Sequence, residues 1–187
     1  MRIVGGRFRG RAIASPEHEG LRPTSDRVRE SVFNILLHGI DGLEIDGARV
    51  IDLFAGTGAL GLEAISRGAS YCLFVEEGAE ARGLIRQNVE AFGLTGITRL
   101  FRRDATDLGP AAPMQPFALA FLDPPYGKGL GEKAIASLRD GKWLVPGAIV
   151  VWEERASSAL QWPEGFREID RRTWGDTQVA FGRYETV

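Results

Sequence analysis

Between residues 48 and 154 the chain alternates short apolar runs with longer amphipathic segments. Short apolar runs are typical of buried strands and the longer segments are typical of helices. The pattern therefore predicts an α/β fold with a mostly parallel sheet and right-handed crossovers. We predict strands at 48–54, 70–76, 97–104, 117–123 and 147–154, and helices at 59–68, 79–93 and 130–141.

The C-terminal part of the chain departs from this alternation. Residues 166–174 and 177–185 are strand-like and are separated by Gly175-Asp176. A two-residue connection of this type between two strands favours a tight turn. We therefore predict that an antiparallel hairpin completes the sheet.

The N-terminal 30 residues are rich in arginine. They contain seven arginines and four acids, a net charge of +3, whereas the whole chain has a formal net charge of −2. Such asymmetry indicates either an element that binds phosphate or a solvated basic tail. Residues 1–14 predict a short β-hairpin on which Arg7, Arg9 and Arg11 share one face. Thr24 or Ser25 is then expected to cap a helix that runs to about His38.

A glycine-rich segment, DLFAGTGALGLEA (52–64), joins the first predicted strand of the core to the next helix. Gly56, Gly58 and Gly61 fit the pattern G-x-G-x-x-G, which is a weak signal alone but allows close approach of a ligand when it lies between a strand and a helix. Glu76 ends the next strand, 20 residues beyond Gly56. An acid there can accept the hydroxyl groups of a ribose, which suits NAD and S-adenosylmethionine equally.

Further acids stand at the ends of the other predicted strands. Asp52 is placed to face the cationic amino group of a methionine moiety and would repel a pyrophosphate. Asp104 or its backbone could hold an adenine amine, and Asp123 ends the fourth strand. Because the carboxyl ends of parallel strands meet at one edge of a sheet, we expect these acids to form one rim.

The segment FALAFLDPPYG (117–127) ends a strand with two prolines. A turn explains the prolines, since proline cannot donate to a sheet. An amino-methylating site explains more of the segment. The Asp123 carboxylate and the Pro124 carbonyl could accept hydrogen bonds from the N–H groups of an exocyclic amine, and the two prolines would hold these acceptors rigidly. Tyr126 offers a face on which an extruded base could stack.

Several other sites are not predicted. The single cysteine, Cys72, permits no disulfide within the chain, and His18 and His38 have no clustered partners, so we expect no metal site. No apolar stretch approaches the roughly 18 residues of a membrane span. A cytoplasmic protein without membrane attachment is expected.

Together, the glycine motif, Glu76 and DPPY resemble class I S-adenosylmethionine-dependent methyltransferases. RPTSDRVRESVFNIL (22–36), preceded by IVGGRFRGR (3–11), resembles the bacterial 16S rRNA guanine-N2 methyltransferases of the RsmD family. The resemblance covers essentially the whole chain and implies a Rossmann-like class I methyltransferase fold. It implies one domain, with a basic N-terminal extension at 1–24 and a catalytic core at 25–187, acting as a monomer.

The resemblance also implies roles for individual residues. Cofactor contacts with S-adenosyl-L-methionine are expected at Asp52, Ala55, Gly56, Thr57, Gly58, Glu76, Asp104 and Ala105. Catalysis is expected from Asp123, Pro124, Pro125 and Tyr126. Contacts with a guanine-containing segment of 16S rRNA, on an assembled or partly assembled small subunit, are expected from Arg7, Arg9, Arg11, Arg22, Thr24, Arg27 and Arg29.

Three alternatives remain at this point. The chain could methylate another RNA or DNA base, although it is short for a dedicated DNA-recognition domain. It could be an NAD-dependent oxidoreductase of the same fold, for which no convincing hydride-transfer pair is present. It could be a non-catalytic RNA-binding module, which the intact glycine loop and DPPY motif do not favour.

Overall fold

The computed structural model describes residues 1–16 and 24–186. Its helices and strands follow the order predicted for the core. In chain order they are α1 (Asp26–His38), β1 (Arg49–Leu53), α2 (Ala59–Ser66), β2 (Tyr71–Val75), α3 (Ala79–Ala91), β3 (Thr98–Phe101), β4 (Phe117–Leu122), α4 (Leu130–Asp140), β5 (Leu144–Arg155), β6 (Phe166–Trp174) and β7 (Thr177–Tyr184).

The seven strands form one sheet with the order β3-β2-β1-β4-β5-β7-β6. Strands β1 to β5 run parallel to one another, and β7 pairs antiparallel with both β5 and β6. The predicted α/β class, the mostly parallel sheet and the C-terminal hairpin are thereby confirmed. Strand β5 begins three residues earlier than predicted, at Leu144, because an irregularity in its pairing with β4 accommodates Pro146 and Gly147.

Helices cover both faces of the sheet and produce two apolar clusters. Residues of α1, α2 and α3 pack on one face, together with Val50, Phe121 and Val151 of the sheet. Helix α4 packs on the other face with the alternate residues, such as Ile51 and Trp152. Strand residues buried on both faces explain why the core strands are continuous apolar runs.

Helix α1 begins after Ser25, whose hydroxyl accepts a hydrogen bond from the backbone N–H of Val28 at 3.2 Å. This bond satisfies one of the N–H groups that a helix leaves unpaired at its start. The helix buries Val32, Phe33 and Leu36 against the sheet. Its first turn therefore lies at a defined position beside the carboxyl ends of the strands.

The N-terminal segment folds back on itself, but not as the predicted pair of strands. A single antiparallel bridge joins Arg2 and Ala12, and the residues between them form turns. Gly6 and Gly10 have φ angles of 76° and 85°, which an extended strand does not contain. The prediction that Arg7, Arg9 and Arg11 alternate along one face of a strand is therefore wrong.

Across residues 1–16 and 24–186, no helix combines the length and apolarity required to span a membrane.

Candidate active site

A cavity of about 360 Å³ opens at the carboxyl ends of β1, β2 and β4. Strand order reverses at β1, which has β2 on one side and β4 on the other. Open α/β sheets bind ligands at such a switch point. The cavity is lined by Thr24, Asp52, Phe54, Ala55, Gly56, Thr57, Ala59, Leu60, Glu76, Asp123, Pro124, Pro125 and Tyr126.

The glycine loop forms one wall of this cavity in a conformation that few residue types adopt. Phe54, Gly56 and Gly58 all have positive φ angles, of 53°, 59° and 81°. A positive φ at a bulky residue such as Phe54 is costly and is found chiefly at functional sites. Gly61 serves packing instead, since a Cβ atom there would lie 2.5 Å from the ring of Phe74.

Glu76 holds the glycine loop in place from the end of β2. Its Oε1 atom accepts a hydrogen bond from Gly56 N, and its Oε2 atom accepts one from Gly78 N, each at 2.8 Å. Each carboxylate oxygen has a second lone pair. Glu76 lines the cavity and is half-buried, so it remains able to accept hydroxyl groups of a ligand.

Asp52 lies at the floor of the cavity and is buried. Its Oδ2 atom accepts a hydrogen bond from Gly61 N at 3.1 Å. Burial, and secondarily the nearby charge of Glu76, raises the pKa of Asp52 well above its ordinary value. None of the described residues that line the cavity is a lysine or an arginine. The site is therefore suited to a cation and would repel a pyrophosphate.

Five of the eight predicted cofactor residues line the cavity, and the other three, Gly58, Asp104 and Ala105, are not among the described residues that line it. Gly58 still belongs to the glycine loop, whereas Asp104 and Ala105 lie outside that loop. The Asp104 carboxylate accepts hydrogen bonds from the N–H and hydroxyl of Thr106 at 2.8 and 2.7 Å, and Ala105 packs in the apolar core. Their contact with an adenine stays a prediction.

The DPPY segment forms another part of the cavity wall. Strand β4 ends at Leu122, and all four residues from Asp123 to Tyr126 line the cavity. The guanidinium carbon of Arg155 lies 5.2 Å from the centre of the Tyr126 ring. The four predicted catalytic residues are thus brought together with Asp52 and Glu76.

Asp123 has a partner that the sequence motifs did not reveal. Its side chain is hydrogen-bonded to Glu153 of β5, and the Glu153 Oε2 atom accepts a hydrogen bond from the Thr24 hydroxyl at 2.7 Å. Burial, followed by the proximity of Glu153, raises the pKa of Asp123 well above its ordinary value, and burial also raises the pKa of Glu153. Two carboxyl groups so close share a proton, because both cannot be charged at low cost.

The predicted RNA contacts occupy different environments. Arg7, Arg9, Arg11 and Arg27 are exposed, and Arg11 stacks on Phe92 with 4.5 Å from its guanidinium carbon to the ring centre. Thr24 lines the cavity. Arg22 lies outside the described residues.

Arg29 does not fit the predicted role of an RNA contact. It is completely buried, and its guanidinium bonds Glu63 Oε1 at 3.0 Å and Asp26 Oδ1 at 2.8 Å. It also donates to the backbone carbonyl of Arg2. The prediction of RNA contact is wrong for this residue, because its donors are used inside the protein.

Comparison with known proteins assigns the family. Residues 1–183 match the model of the family described as "Conserved hypothetical protein 95". The chain belongs to this family. The Escherichia coli K12 protein named ribosomal RNA small subunit methyltransferase D is 38% identical to this chain, over 86% of this chain and 77% of that protein. The Haemophilus influenzae protein of the same name is 34% identical, over 94% of this chain and 89% of that protein. The resemblance to the RsmD family is thereby confirmed.

Solved structures agree with this assignment. The Escherichia coli protein yhhF superposes with a TM-score of 0.83 at 30% identity, over 99% of this chain and 98% of that one. The methyltransferase-related protein SMU.776, solved with SAH, shows the same fold at 17% identity, with a TM-score of 0.64 over 83% of this chain and 49% of that one. The class I methyltransferase fold is confirmed, and S-adenosyl-L-methionine is the methyl donor of this enzyme class.

Within the described part of the chain, no group of three or more His, Cys, Asp and Glu side chains is arranged to hold a metal ion.

Proposed function

We propose that the protein transfers a methyl group from S-adenosyl-L-methionine to the exocyclic N2 amine of a guanine in 16S rRNA of the small ribosomal subunit. One observation carries this proposal: Asp123 and Pro124 line the same cavity as Glu76 and the glycine loop. A methyl donor held by the loop would therefore lie against the acceptors of the DPPY segment. The relatives named as small subunit rRNA methyltransferases support an RNA substrate.

The residues of the cavity suit S-adenosyl-L-methionine in shape and charge. A volume of about 360 Å³ lies within the ordinary range of ligand pockets. Glu76 would accept the ribose hydroxyls, and the buried acid Asp52 would favour the positively charged end of the molecule. When bound, S-adenosyl-L-methionine supplies a methyl group on a positively charged sulfur.

The DPPY segment would prepare the amine for attack. The lone pair of a guanine N2 atom is delocalised into the ring, and acceptance of its N–H groups by the Asp123 carboxyl and the Pro124 carbonyl would favour a pyramidal nitrogen. Pro124 and Pro125 hold these acceptors rigidly, and Tyr126 would stack on the extruded base. The nitrogen forms the new bond to carbon, the electron pair of the broken carbon–sulfur bond stays on sulfur, and the nitrogen gives up one proton. We assign that proton to the Asp123–Glu153 pair, from which it returns to water.

The exposed arginines near the N-terminus would bind the RNA backbone. Arg7, Arg9, Arg11 and Arg27 present guanidinium groups to solvent, and such groups bind phosphate well. Arg22 stays a predicted contact. With an RNA of the ribosome as its substrate, the enzyme would work in the cytoplasm, and we propose that it acts there as a monomer on the subunit or on an assembly intermediate.

The experiment that tests this function uses tritiated S-adenosyl-L-methionine. The protein is incubated with small subunits, with naked rRNA or with duplex DNA, and the labelled nucleoside is identified after digestion. N2-methylguanosine from small-subunit RNA supports the proposal. Label in another base or in DNA would contradict the substrate while leaving the amino-methyltransferase chemistry in place.

A further inference from the structure

A second cavity, of about 530 Å³, is bordered by Tyr126 as the first one is. Thr24 and Tyr126 line both cavities, so the two spaces are neighbours. The second cavity is lined in part by Val28, Glu153, Arg155 and Asp176. It offers room for a target base that enters beside Tyr126.

The structure places Glu153 next to Asp123 at the border of this cavity. Leu122 of β4 pairs with Trp152 of β5. Asp123, which follows Leu122, therefore lies beside Glu153, which follows Trp152. Glu153 is only 7% exposed, although it is an acid at the end of a strand. Thr24 donates to Glu153 Oε2 at 2.7 Å, and the remaining side-chain hydrogen bond joins Glu153 to Asp123.

A buried carboxyl pair of this kind matches one nucleobase better than the others. Each carboxyl group has four lone-pair sites, so a proton shared between the two groups leaves acceptor sites on both. The Watson–Crick edge of guanine presents two adjacent donors, N1–H and N2–H. Adenine and cytosine instead place an acceptor beside the donor amine. Enzymes that extrude a base read it by hydrogen bonds to this edge.

We propose that Glu153 is a specificity-determining residue that accepts the N1–H of the target guanine while Asp123 accepts an N–H of its N2 amine. This inference rests on the proposed function and adds a residue outside the DPPY motif to it. Thr24 positions the Glu153 carboxyl, and Arg155, which lies over the Tyr126 ring, positions the stacking surface.

Within the described part of the chain, the other acids near the pair do not supply a competing partner. Asp52 of β1 and Glu154 of β5 act on Asp123 only as like charges. The Trp152 indole N–H donates to Glu154 Oε2 at 3.3 Å, on the opposite side of the strand from Glu153. Glu154→Gln is therefore a matched control, because it removes a neighbouring buried acid from the same strand without touching the base.

The test combines a base analogue with these variants. 2-Aminopurine keeps the N2 amine of guanine, but its N1 atom carries no proton and accepts a hydrogen bond. Small subunits are reconstituted with ligated 16S rRNA that contains either guanine or 2-aminopurine at the nucleotide found by tritium labelling. The quantity measured is the ratio of kcat/KM for the two bases, with the Kd of the cofactor measured in parallel.

We expect the wild type and Glu154→Gln to prefer guanine by about 10- to 100-fold, the discrimination that one well-placed pair of base contacts provides. In Glu153→Gln the side-chain amide can donate to the bare N1 atom, so the preference should fall to within about threefold, with the cofactor Kd unchanged. Thr24→Ala should reduce the preference partly, since Glu153 loses its hydroxyl partner.

Two results would overturn the inference: equal methylation of both bases by the wild type, or a wild-type preference retained in folded Glu153→Gln. The first result needs no variant, so it remains decisive if Glu153→Gln fails to fold. Absence of label in guanine-containing subunits with the wild type would instead overturn the proposed function itself.

Discussion

Two sites that each contain a buried glutamate, Glu63 and Glu153, lie on the same face of the sheet and differ in how the negative charge is compensated. Glu63 of α2 is completely buried and accepts four hydrogen bonds, from Arg29 Nε, from Arg67 Nε and from the backbone N–H groups of Val4 and Gly5, at 2.9–3.0 Å. In the described part of the chain, the Thr24 hydroxyl is the one further side chain that donates a hydrogen bond to the Asp123–Glu153 pair.

We propose that this difference separates an acid with a structural role from an acid pair with a functional one. Glu63 has two cationic partners, and it joins the N-terminal segment, α1 and α2 at one point. Among residues 1–16 and 24–186, no lysine or arginine forms an ion pair with Asp123 or Glu153, and the pair borders two cavities. Burial of an acid therefore does not identify an active site by itself. Burial with incomplete compensation beside a cavity favours a functional assignment, because the missing donors can come from a substrate.

The largest effect on stability is expected when the compensated site is broken. Glu63→Gln removes the charge that both Arg29 and Arg67 face, and loss of one partner of a buried ion pair costs about 3–5 kcal/mol. Urea denaturation measures this loss. The control is Asp140→Asn, whose ion pair with Arg139 is largely exposed and should contribute less than about 1 kcal/mol. Equal losses in the two variants would show that the Glu63 cluster is not a structural centre.

Substitution in the Asp123–Glu153 pair should have the opposite effect: activity should be lost while stability is kept. Asp123→Asn replaces one acceptor oxygen with a donor, so we expect kcat to fall by about 10²- to 10³-fold, as when one preorganised contact of an active site is lost. Stability should stay constant or rise, since an acid that is half-buried, and that has no cationic partner among the described residues, loses its charge. Tritium transfer to small subunits and urea denaturation test both parts. A normal kcat, or a loss of stability like that of Glu63→Gln, would contradict the contrast between the sites.

The pH dependence of stability should differ in sign between the two clusters. Burial raises the pKa of Glu153 from its ordinary 4.5, so the folded state binds the proton more tightly than the unfolded state does. The stabilisation is complete below pH 4.5 and is lost as pH rises through the folded pKa. The free energy of unfolding of the wild type minus that of Glu153→Gln should therefore fall with rising pH.

Asp26, which pairs with Arg29, provides the matched comparison. Burial tends to raise its pKa, but hydrogen bonds from Arg29 and from the Arg2 N–H outweigh this and lower the pKa below the ordinary 3.8. Its stabilisation is present above pH 3.8 and is lost as pH falls through the folded value. The difference between wild type and Asp26→Asn should thus rise with pH, and the same slope in both variants would contradict the assignment.

Much of this contrast could not be predicted from the sequence. The order of strands and helices, the glycine loop and DPPY depend on local patterns, which is why the fold and the position of Glu76 beside the loop were predictable. Glu153 belongs to no motif, and its proximity to Asp123 depends on β4 and β5 being neighbours in the sheet. The WEE sequence at the end of β5 was the available signal.

The predictions for Arg29 and for the N-terminal arginines were wrong for different physical reasons. A charged residue next to an apolar helix stripe is usually exposed, and nothing near Arg29 in the sequence indicates that Glu63, 34 residues away, will pair with it. The alternation of Arg7, Arg9 and Arg11 suggested a strand, but Gly6 and Gly10 allow the positive φ angles of turns. Exposure of these arginines depends on that turn rather than on a strand face.

The smallest expected effect distinguishes the exposed arginines from the buried one. Arg9→Ala removes one positive charge from the surface, so we expect binding to small subunits to weaken about three- to tenfold and the slope of log K against log salt to decrease by about 1. Stability and cofactor affinity should not change. Arg29→Ala should instead lower the free energy of unfolding by about 3–5 kcal/mol, because Glu63 loses its buried partner. If Arg9→Ala leaves the salt slope unchanged while Arg29→Ala lowers it in the folded state, the RNA contacts lie on the buried side of α1. Arg29 would then contact RNA, contrary to our conclusion.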